Sequence, residues 1–154
     1  MTLDMSPVKA VVFDMDDTLL DWRDAEKGAI AQLAILHFAR HGVGQQEVRA
    51  TYDAVMTENF AEWKANRVWK YIDERLTILV ERLAMNDRVA VADLVQTFSR
   101  EATSRLAFHE GAEEALAAAR QAGRKTALLT NGRSEVQRPK VVAFGLHTLV
   151  DFVG

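Results

Sequence analysis

The chain has no cysteine, only two prolines and no long hydrophobic run. Without cysteine it has no disulfide framework, no thiolate metal ligand and no cysteine nucleophile. No apolar stretch approaches the roughly 18 residues that a membrane-spanning helix needs. The first ten residues also lack the basic and apolar regions of a signal peptide. These absences predict a cytoplasmic protein without a membrane partner.

An excess of charge of one sign is also absent. The 19 basic and 22 acidic residues give a net charge of -3, whereas nucleic-acid-binding domains usually have a basic excess. We therefore expect no nucleic-acid partner. The chain has 154 residues, of which 49% are hydrophobic, and this is enough for a hydrophobic core.

Strand patterns occur at three places. The β-branched run Val8–Phe13 predicts a strand buried on both faces. Lys125–Thr130 and Thr148–Val153 predict two further strands, and helical patterns at 111–123 and from 136 to 145 alternate with them. This alternation predicts a parallel sheet of an α/β protein.

The section between the first two strands is helical in pattern throughout. Asp24–Arg40 predicts a helix with Asp24 as its N-cap and Gly42 as its stop. Residues 47–83 predict more helix, and a third helical stripe follows from Val91 to Leu106.

This helical section is too long for an ordinary crossover between parallel strands. We therefore predict two domains. Residues 22–107 form an inserted, all-helical domain, and residues 1–21 and 108–154 form a discontinuous α/β core.

Polar clusters, "DMDDT" and "TNG", follow the first two strands. Ligands bind at the carboxyl ends of strands in open parallel sheets. Asp14 and Asp16 are two residues apart, so an extended backbone points both carboxylates the same way, and their repulsion calls for a cation or hydrogen-bond donors. Mg²⁺ suits such oxygen ligands. One carboxylate could attack phosphorus and the other could transfer a proton, while Thr130, Asn131 and Gly132 could bind phosphate.

A less specific interpretation of each cluster exists. "DMDDT" would also suit an acidic turn in which an aspartate caps a helix, and "TNG" alone is common turn chemistry. The two clusters together, each after a strand and in this order, favour a functional site.

The segment Asp14-Met15-Asp16-Asp17-Thr18-Leu19 resembles the first motif of the haloacid dehalogenase-like (HAD) hydrolase superfamily. Leu128-Leu129-Thr130-Asn131-Gly132 is similar to its second motif. The pattern that follows is similar to members with a helical cap, and its residues are Gln137, Lys140, Gly145 and Leu146. The resemblance implies a Rossmann-like parallel sheet with an inserted helical cap.

The resemblance also implies roles for single residues. Asp14 would be the nucleophile and Asp16 the general acid/base, with Thr18 as a supporting residue of the same motif. Mg²⁺ would be held by the Asp14 carboxylate and the Asp16 main-chain carbonyl, and Thr130 would bind the transferring phosphoryl group. Members that cleave carbon–halogen bonds lack the second aspartate, so Asp16 favours a phosphatase acting on a small phosphorylated metabolite.

Three questions stay open at this level. A phosphomutase would share the aspartyl-phosphate step, and a non-catalytic fragment with a binding or assembly role is a third alternative. Lys64, Arg67 and Arg75 are candidate substrate contacts in the cap, although the pattern favours core packing of Trp63 and Trp69 with solvated charges on the other face. The four histidines have no metal-ligand spacing, which favours surface or packing roles.

The family pattern contains two further motifs that would lie beyond Gly154, a lysine and a later acidic pair. Lys140 lies only ten residues after Thr130 and is a poor substitute by spacing. We therefore expect a shortened, inactive or weakly active chain of three strands. The first strand would be an open apolar edge, covered by a second copy or by an exchanged segment.

Overall fold

The computed structural model describes residues 7–154. Within them, three strands form one parallel sheet: β1 (Ala10–Phe13), β2 (Lys125–Leu128) and β3 (Phe152–Val153), in the order β1-β2-β3. The predicted parallel α/β sheet is confirmed. The expectation that residues 1–10 contain no signal peptide falls mainly outside the described residues.

The register of the sheet brings the ends of β1 and β2 together. Phe13 pairs with Leu128, and the N–H of Leu129 donates to the carbonyl of Phe13 at 2.9 Å. Because the strands are parallel, the segments that follow them leave from the same end of the sheet. We call this carboxyl end of the strands, where residues 14 and 130 follow, the rim.

The prediction that the first strand is buried on both faces is wrong. Val12 is 61% exposed and Phe152 is 65% exposed, and both are in register with Ala127 across the sheet. Among the described residues β1 has one neighbouring strand, β2. It therefore lies at an edge of the sheet with one face open to solvent, as the expectation of an open apolar edge states.

Helices fill the section between β1 and β2, and residues 24–105 contain no strand. The elements are α1 (Trp22–Leu33), a π-helical turn (Ala34–Phe38), a 3₁₀ turn (Ala39–His41), α2 (Gln45–Asn66), α3 (Ile72–Arg82) and α4 (Val91–Arg105). Their fully buried side chains form an apolar core that includes Leu33, Phe38, Val48, Leu76, Leu79, Leu94 and Phe98.

Two helix predictions need correction. The first helix begins at Trp22, so Asp24 lies in its first turn and is not its N-cap. After its π-helical turn the helix continues as the 3₁₀ turn and ends at Gly42, whose φ of +82° suits glycine. The stretch predicted as continuous helix from 47 to 83 contains a break, because Arg67 adopts a left-handed conformation with φ +59°.

The C-terminal part contains α5 (Ala112–Gln121), α6 (Ser134–Ala143) and α7 (Leu146–Leu149). The predicted strand at 148–153 is mostly wrong, because only Phe152–Val153 pairs with β2. Leu146 is fully buried in the short helix α7, so this apolar residue is buried by a helical turn before the strand starts.

The chain divides into two compact units. One contains the residues up to Arg23 and those from Leu106 onward, and the other is Asp24–Arg105. These boundaries lie two residues from the predicted ones at each junction. None of the described helices combines the length and the apolar character that crossing a membrane requires.

Candidate active site

The loop after β1 is held by its own buried side chains. Met15, Leu19 and Leu20 are at most 1% exposed, and the N–H of Leu20 donates to the carbonyl of Met15 at 2.9 Å. Its neighbour Asp16 is partly exposed. Asp14 is exposed, and one of its carboxylate oxygens accepts the N–H of Met15 at 2.8 Å.

The turn that follows is tight. Asp17 has a φ of +57°, an uncommon conformation for a residue other than glycine, and its N–H donates to the carbonyl of Leu20 at 2.8 Å. Thr18 is exposed in this turn. The loop is further fixed by the segment that returns after the helical insert, because the N–H of His109 donates to the carbonyl of Leu19 at 2.9 Å.

One side-chain amide connects the tips of the two strands. The Nε2 of Gln137 lies 2.8 Å from the Oδ2 of Asp16 and 2.8 Å from the Oγ1 of Thr130. Gln137 is only 6% exposed. The structure thus brings Asp16, from the first motif, and Thr130, from the second, within hydrogen-bond distance of one amide nitrogen.

The same carboxylate has a cationic partner that the sequence analysis set aside. The Nζ of Lys140 lies 2.9 Å from both carboxylate oxygens of Asp16. It also lies 3.6 Å from the ring centroid of Trp22, a cation–π contact. The signal in the sequence was the helical spacing of Gln137 and Lys140, which puts both on one face of α6.

Gly132 has a steric reason to be glycine. A Cβ at this position would lie closer to the Nε2 of Gln137 than any unstrained contact. The backbone φ of Gly132 is not positive, so the reason is steric and not conformational. The second motif therefore leaves space for the amide that joins Asp16 and Thr130. Asn131 is exposed at the rim beside it.

The cap residues predicted as substrate contacts are in different environments. Lys64 and Arg67 lie against exposed aromatic rings, Lys64 at 4.6 Å from the Phe60 centroid and Arg67 at 5.2 Å from that of Trp63. Phe60 is 47% exposed and Trp63 is 38% exposed, so the simpler interpretation of a core tryptophan does not describe Trp63. Trp69, at 37% exposed, is similar.

Arg75, by contrast, is buried within the helical unit. It is 5% exposed and its Nη1 lies 2.9 Å from the Oε1 of Glu26. The same carboxylate oxygen accepts the hydroxyl of Tyr52 at 2.9 Å. Burial raises the pKa of Tyr52 well above its usual value, and the Glu26 carboxylate raises it further. Arg75 thus belongs to a buried polar cluster of the cap.

Among the described residues, Asp17, Asp21 and His109 are grouped closely enough for one ligand atom from each to lie within 4.8 Å of the others. The histidines had no metal-ligand spacing in the sequence, and this grouping arises only in the fold. The carboxylate of Asp17 already accepts the N–H of Arg23 at 2.7 Å.

Comparisons with known proteins identify the family of the chain. A sequence profile of the haloacid dehalogenase-like hydrolases matches residues 8–154. The chain belongs to the haloacid dehalogenase-like hydrolase family, a family of hydrolytic enzymes. A comparison with curated proteins gives no match.

Solved structures share the fold at low sequence identity. The chain is similar to a protein described as the HAD-hydrolase YfnB of Bacillus subtilis bound to magnesium, with a TM-score of 0.70 and 20% identity over 95% of this chain and 64% of that one. It is also similar to one described as a β-phosphoglucomutase of Thermotoga maritima (TM-score 0.68, 21% identity, 95% and 60% covered). A third is the L-2-haloacid dehalogenase of Xanthobacter autotrophicus (TM-score 0.59, 20% identity, 95% and 56% covered). The chain spans less than two thirds of the length of each.

Proposed function

We propose that the chain carries the reacting residues of a Mg²⁺-dependent phosphohydrolase, which acts on a small phosphorylated metabolite through an aspartyl-phosphate intermediate. The observation that supports this most is the amide of Gln137, which donates to both Asp16 and Thr130 at 2.8 Å. A carboxylate suited to proton transfer and a hydroxyl suited to phosphate binding are therefore within reach of one substrate group. Asp14, at the same strand tip, is exposed.

In the proposed reaction, a carboxylate oxygen of Asp14 forms a bond to phosphorus while the bond between phosphorus and the ester oxygen breaks. Asp16 enters this step protonated and gives that proton to the departing oxygen, so an alcohol leaves instead of an alkoxide. Asp16 then takes a proton from the water that attacks the aspartyl-phosphate, and inorganic phosphate is released. The hydroxyl of Thr130 donates a hydrogen bond to a non-bridging phosphoryl oxygen in both steps.

The oxygen donors at this strand tip fit Mg²⁺ as the cofactor. Mg²⁺ is usually held by one or two protein oxygens together with waters and substrate phosphate. The Asp14 carboxylate and the Asp16 main-chain carbonyl would hold it, since the side chain of Asp16 is engaged by Lys140. When bound, the cation would reduce the repulsion between the Asp14 carboxylate and the anionic phosphoryl group.

Asp16 favours phosphoryl transfer over dehalogenation. Displacement of a halide needs no proton donor for the leaving group, whereas an alkoxide leaves readily only when it is protonated. The likeness to a dehalogenase and to a phosphoglucomutase, at 20% and 21% identity, concerns the fold alone. A phosphomutase would share the first step and differ in the acceptor of the phosphoryl group.

The test is hydrolysis of p-nitrophenyl phosphate with and without Mg²⁺. We expect weak but Mg²⁺-dependent release of nitrophenolate by the wild-type chain and a loss of at least about 1,000-fold in Asp14→Asn, as for other removed nucleophiles. Asp87→Asn changes an exposed carboxylate of the cap and should leave the rate unchanged. Equal silence of wild type and Asp14→Asn would contradict the proposal for this chain. Product analysis with a sugar phosphate separates hydrolysis from mutase activity.

The open edge at β1 supports a second candidate role, assembly with another copy of the chain. Among the described residues β1 pairs with β2 alone, its Val12 is 61% exposed, and an apolar strand edge is a template for pairing. A homodimer or an exchange of segments would cover this edge. We expect a dimer in light scattering of the wild type and a monomer for Val12→Lys, and a monomeric wild type would contradict this role.

The location and partners of the proposed enzyme stay predictions from the sequence. These are a cytoplasmic location, a small-molecule substrate, and no nucleic-acid or membrane partner. The cap contacts from Lys64 and Arg67 are proposed on the same basis, because both cations lie beside exposed aromatic rings.

A further inference from the structure

Two polar side chains of α6 are almost completely buried beside the rim. Gln137 is 6% exposed and Lys140 is 4% exposed. Burying an ammonium or an amide costs free energy unless its hydrogen bonds are replaced. The partners of the Lys140 ammonium and of the Gln137 Nε2 offset this cost, whereas the Oε1 of Gln137 is buried without a hydrogen-bond partner among the described residues.

Lys140 contacts both carboxylate oxygens of Asp16. Its ammonium lies 2.9 Å from both carboxylate oxygens and 3.6 Å from the centroid of the Trp22 ring. An ammonium that contacts both oxygens, and is itself packed on an aromatic face, limits the rotamers open to the carboxylate. The side chain of Asp16 is 26% exposed, so it is held in place while one side stays accessible.

Gln137 sets the distance between Asp16 and Thr130. Its amide nitrogen donates to both at 2.8 Å, and the nitrogen must face Asp16 because two oxygens at that distance would repel each other. Since the Oγ1 of Thr130 accepts this bond, the hydroxyl hydrogen of Thr130 is directed elsewhere and is available as a donor. Gly132 leaves the space that this amide occupies.

We propose that Gln137 and Lys140 are positioning residues of the phosphoryl-transfer site. Lys140 fixes the direction of the Asp16 carboxylate, and Gln137 fixes its distance from Thr130 and orients the Thr130 hydroxyl as a donor. The catalytic half of this inference rests on the proposed function. The structural half, that Lys140 holds Asp16, does not.

The structural half is tested by a double-mutant cycle in urea. Lys140→Met and Asp16→Asn are measured singly and together, because either change alone removes the ion pair between them while the other member stays in its buried or half-buried position. We expect the loss of urea midpoint in the double variant to be smaller than the sum of the losses in the two single variants. Arg138→Met removes a neighbouring but exposed cation of α6 and should be additive with Asp16→Asn.

Strict additivity of Lys140→Met and Asp16→Asn would overturn the inference. If Lys140→Met alone does not fold, recovery of folding in the double variant supports it. Failure of the double variant, when Asp16→Asn folds alone, contradicts it. The cycle needs no enzymatic turnover, so an inactive wild type would count against the proposed function and leave this result intact.

The catalytic half is tested by the dependence of the rate on the leaving group. An alkyl phosphate needs a proton donor, whereas nitrophenolate leaves without one. We expect Gln137→Leu and Lys140→Met to lower the single-turnover rate of leaving-group release about 10-fold or more for an alkyl phosphate, with a much smaller loss for p-nitrophenyl phosphate. Single turnover is measured because the later hydrolysis of the intermediate needs Asp16 as a base with either substrate. Equal losses of the release rate on both substrates would show a general structural defect and overturn the positioning role. Arg138→Met should match the wild type on both.

Discussion

The ammonium of Lys140 and the carboxylate of Asp16, 124 residues apart in sequence, form an ion pair in which Nζ lies 2.9 Å from both oxygens. This pair joins α6 to the loop after β1. Gln137, on the same helix face, extends the contact to Thr130. The end of the first strand, the end of the second strand and the following helix thus form one connected polar cluster at the rim.

Gly132→Ala should disrupt this cluster without changing any charge. The added Cβ would meet the amide of Gln137 at 2.3 Å, so either the backbone or the Gln137 side chain must move. We expect a loss of about 1–3 kcal/mol in the free energy of unfolding, as for other overpacked sites, measured by urea denaturation. Gly44→Ala is the matched control, because a Cβ there meets nothing within 4 Å. A Gly132→Ala variant as stable as the control would show that the amide is not held at this position.

Arg75→Met tests whether Arg75 supports the cap or serves a substrate. Its partner Glu26 has a side chain only 13% exposed, so removing the cation leaves a mostly buried carboxylate without its ion pair. We expect a loss of about 3–5 kcal/mol in thermal or urea unfolding. Arg82→Met breaks the exposed pair with Glu58 and should change the stability little, because solvent screens an exposed ion pair. Similar small losses in both variants would contradict a structural role for Arg75.

Acid should loosen the attachment of β3. The backbone N–H of Thr126, followed by the Lys125 ammonium, lowers the pKa of Asp151 below its usual value. A carboxyl group with a lowered pKa in the folded state adds stability above its unfolded pKa of about 3.9, and that contribution disappears as the pH falls through the folded-state value. The urea midpoint of wild type should therefore exceed that of Asp151→Asn at neutral pH, and the difference should shrink in acid. A difference that is constant with pH would contradict this.

Lys64→Gln and Arg67→Gln test the predicted cap contacts. Both residues are exposed cations beside aromatic rings, and loss of a charge that attracts an anionic substrate should raise KM more than it lowers kcat. The increase should weaken with added salt, since exposed charges are screened. Lys27→Gln removes an exposed cation from α1 and is the control. An unchanged KM in both cap variants would remove these residues from the proposed site.

The sequence was sufficient for the parts of the fold that depend on local patterns. The apolar runs ending in "DMDDT" and "TNG" predicted two parallel strands with polar tips, and the helical periodicity of the insert predicted an all-helical unit. Strand length was less predictable, because Thr148 and Leu149 belong to the helix α7 and only Phe152–Val153 pairs with β2. Arg67 broke a helix through its left-handed backbone, which side-chain periodicity does not reveal.

The contacts of Lys140 could not be predicted from spacing along the chain. Whether its ammonium reaches Asp16 depends on where α6 starts and on how it is rotated about its axis. The helix begins at Ser134 instead of the predicted Val136, and Gly132 allows Gln137 to approach the rim. Both are features of three-dimensional packing. The glutamine and lysine at helical spacing were visible in the sequence, but their partners were not.

The central claim is that Asp14 forms the bond to phosphorus, and the most direct measurement locates the phosphoryl group by mass spectrometry. The Asp16→Asn variant is incubated with p-nitrophenyl phosphate and Mg²⁺, because nitrophenolate leaves without an acid while hydrolysis of the intermediate needs a base. After an acid quench and digestion, we expect phosphate on Asp14 in this variant and none in the Asp14→Asn, Asp16→Asn double variant. Phosphate on another residue, or no phosphorylated peptide in a folded chain that binds Mg²⁺, would contradict the claim.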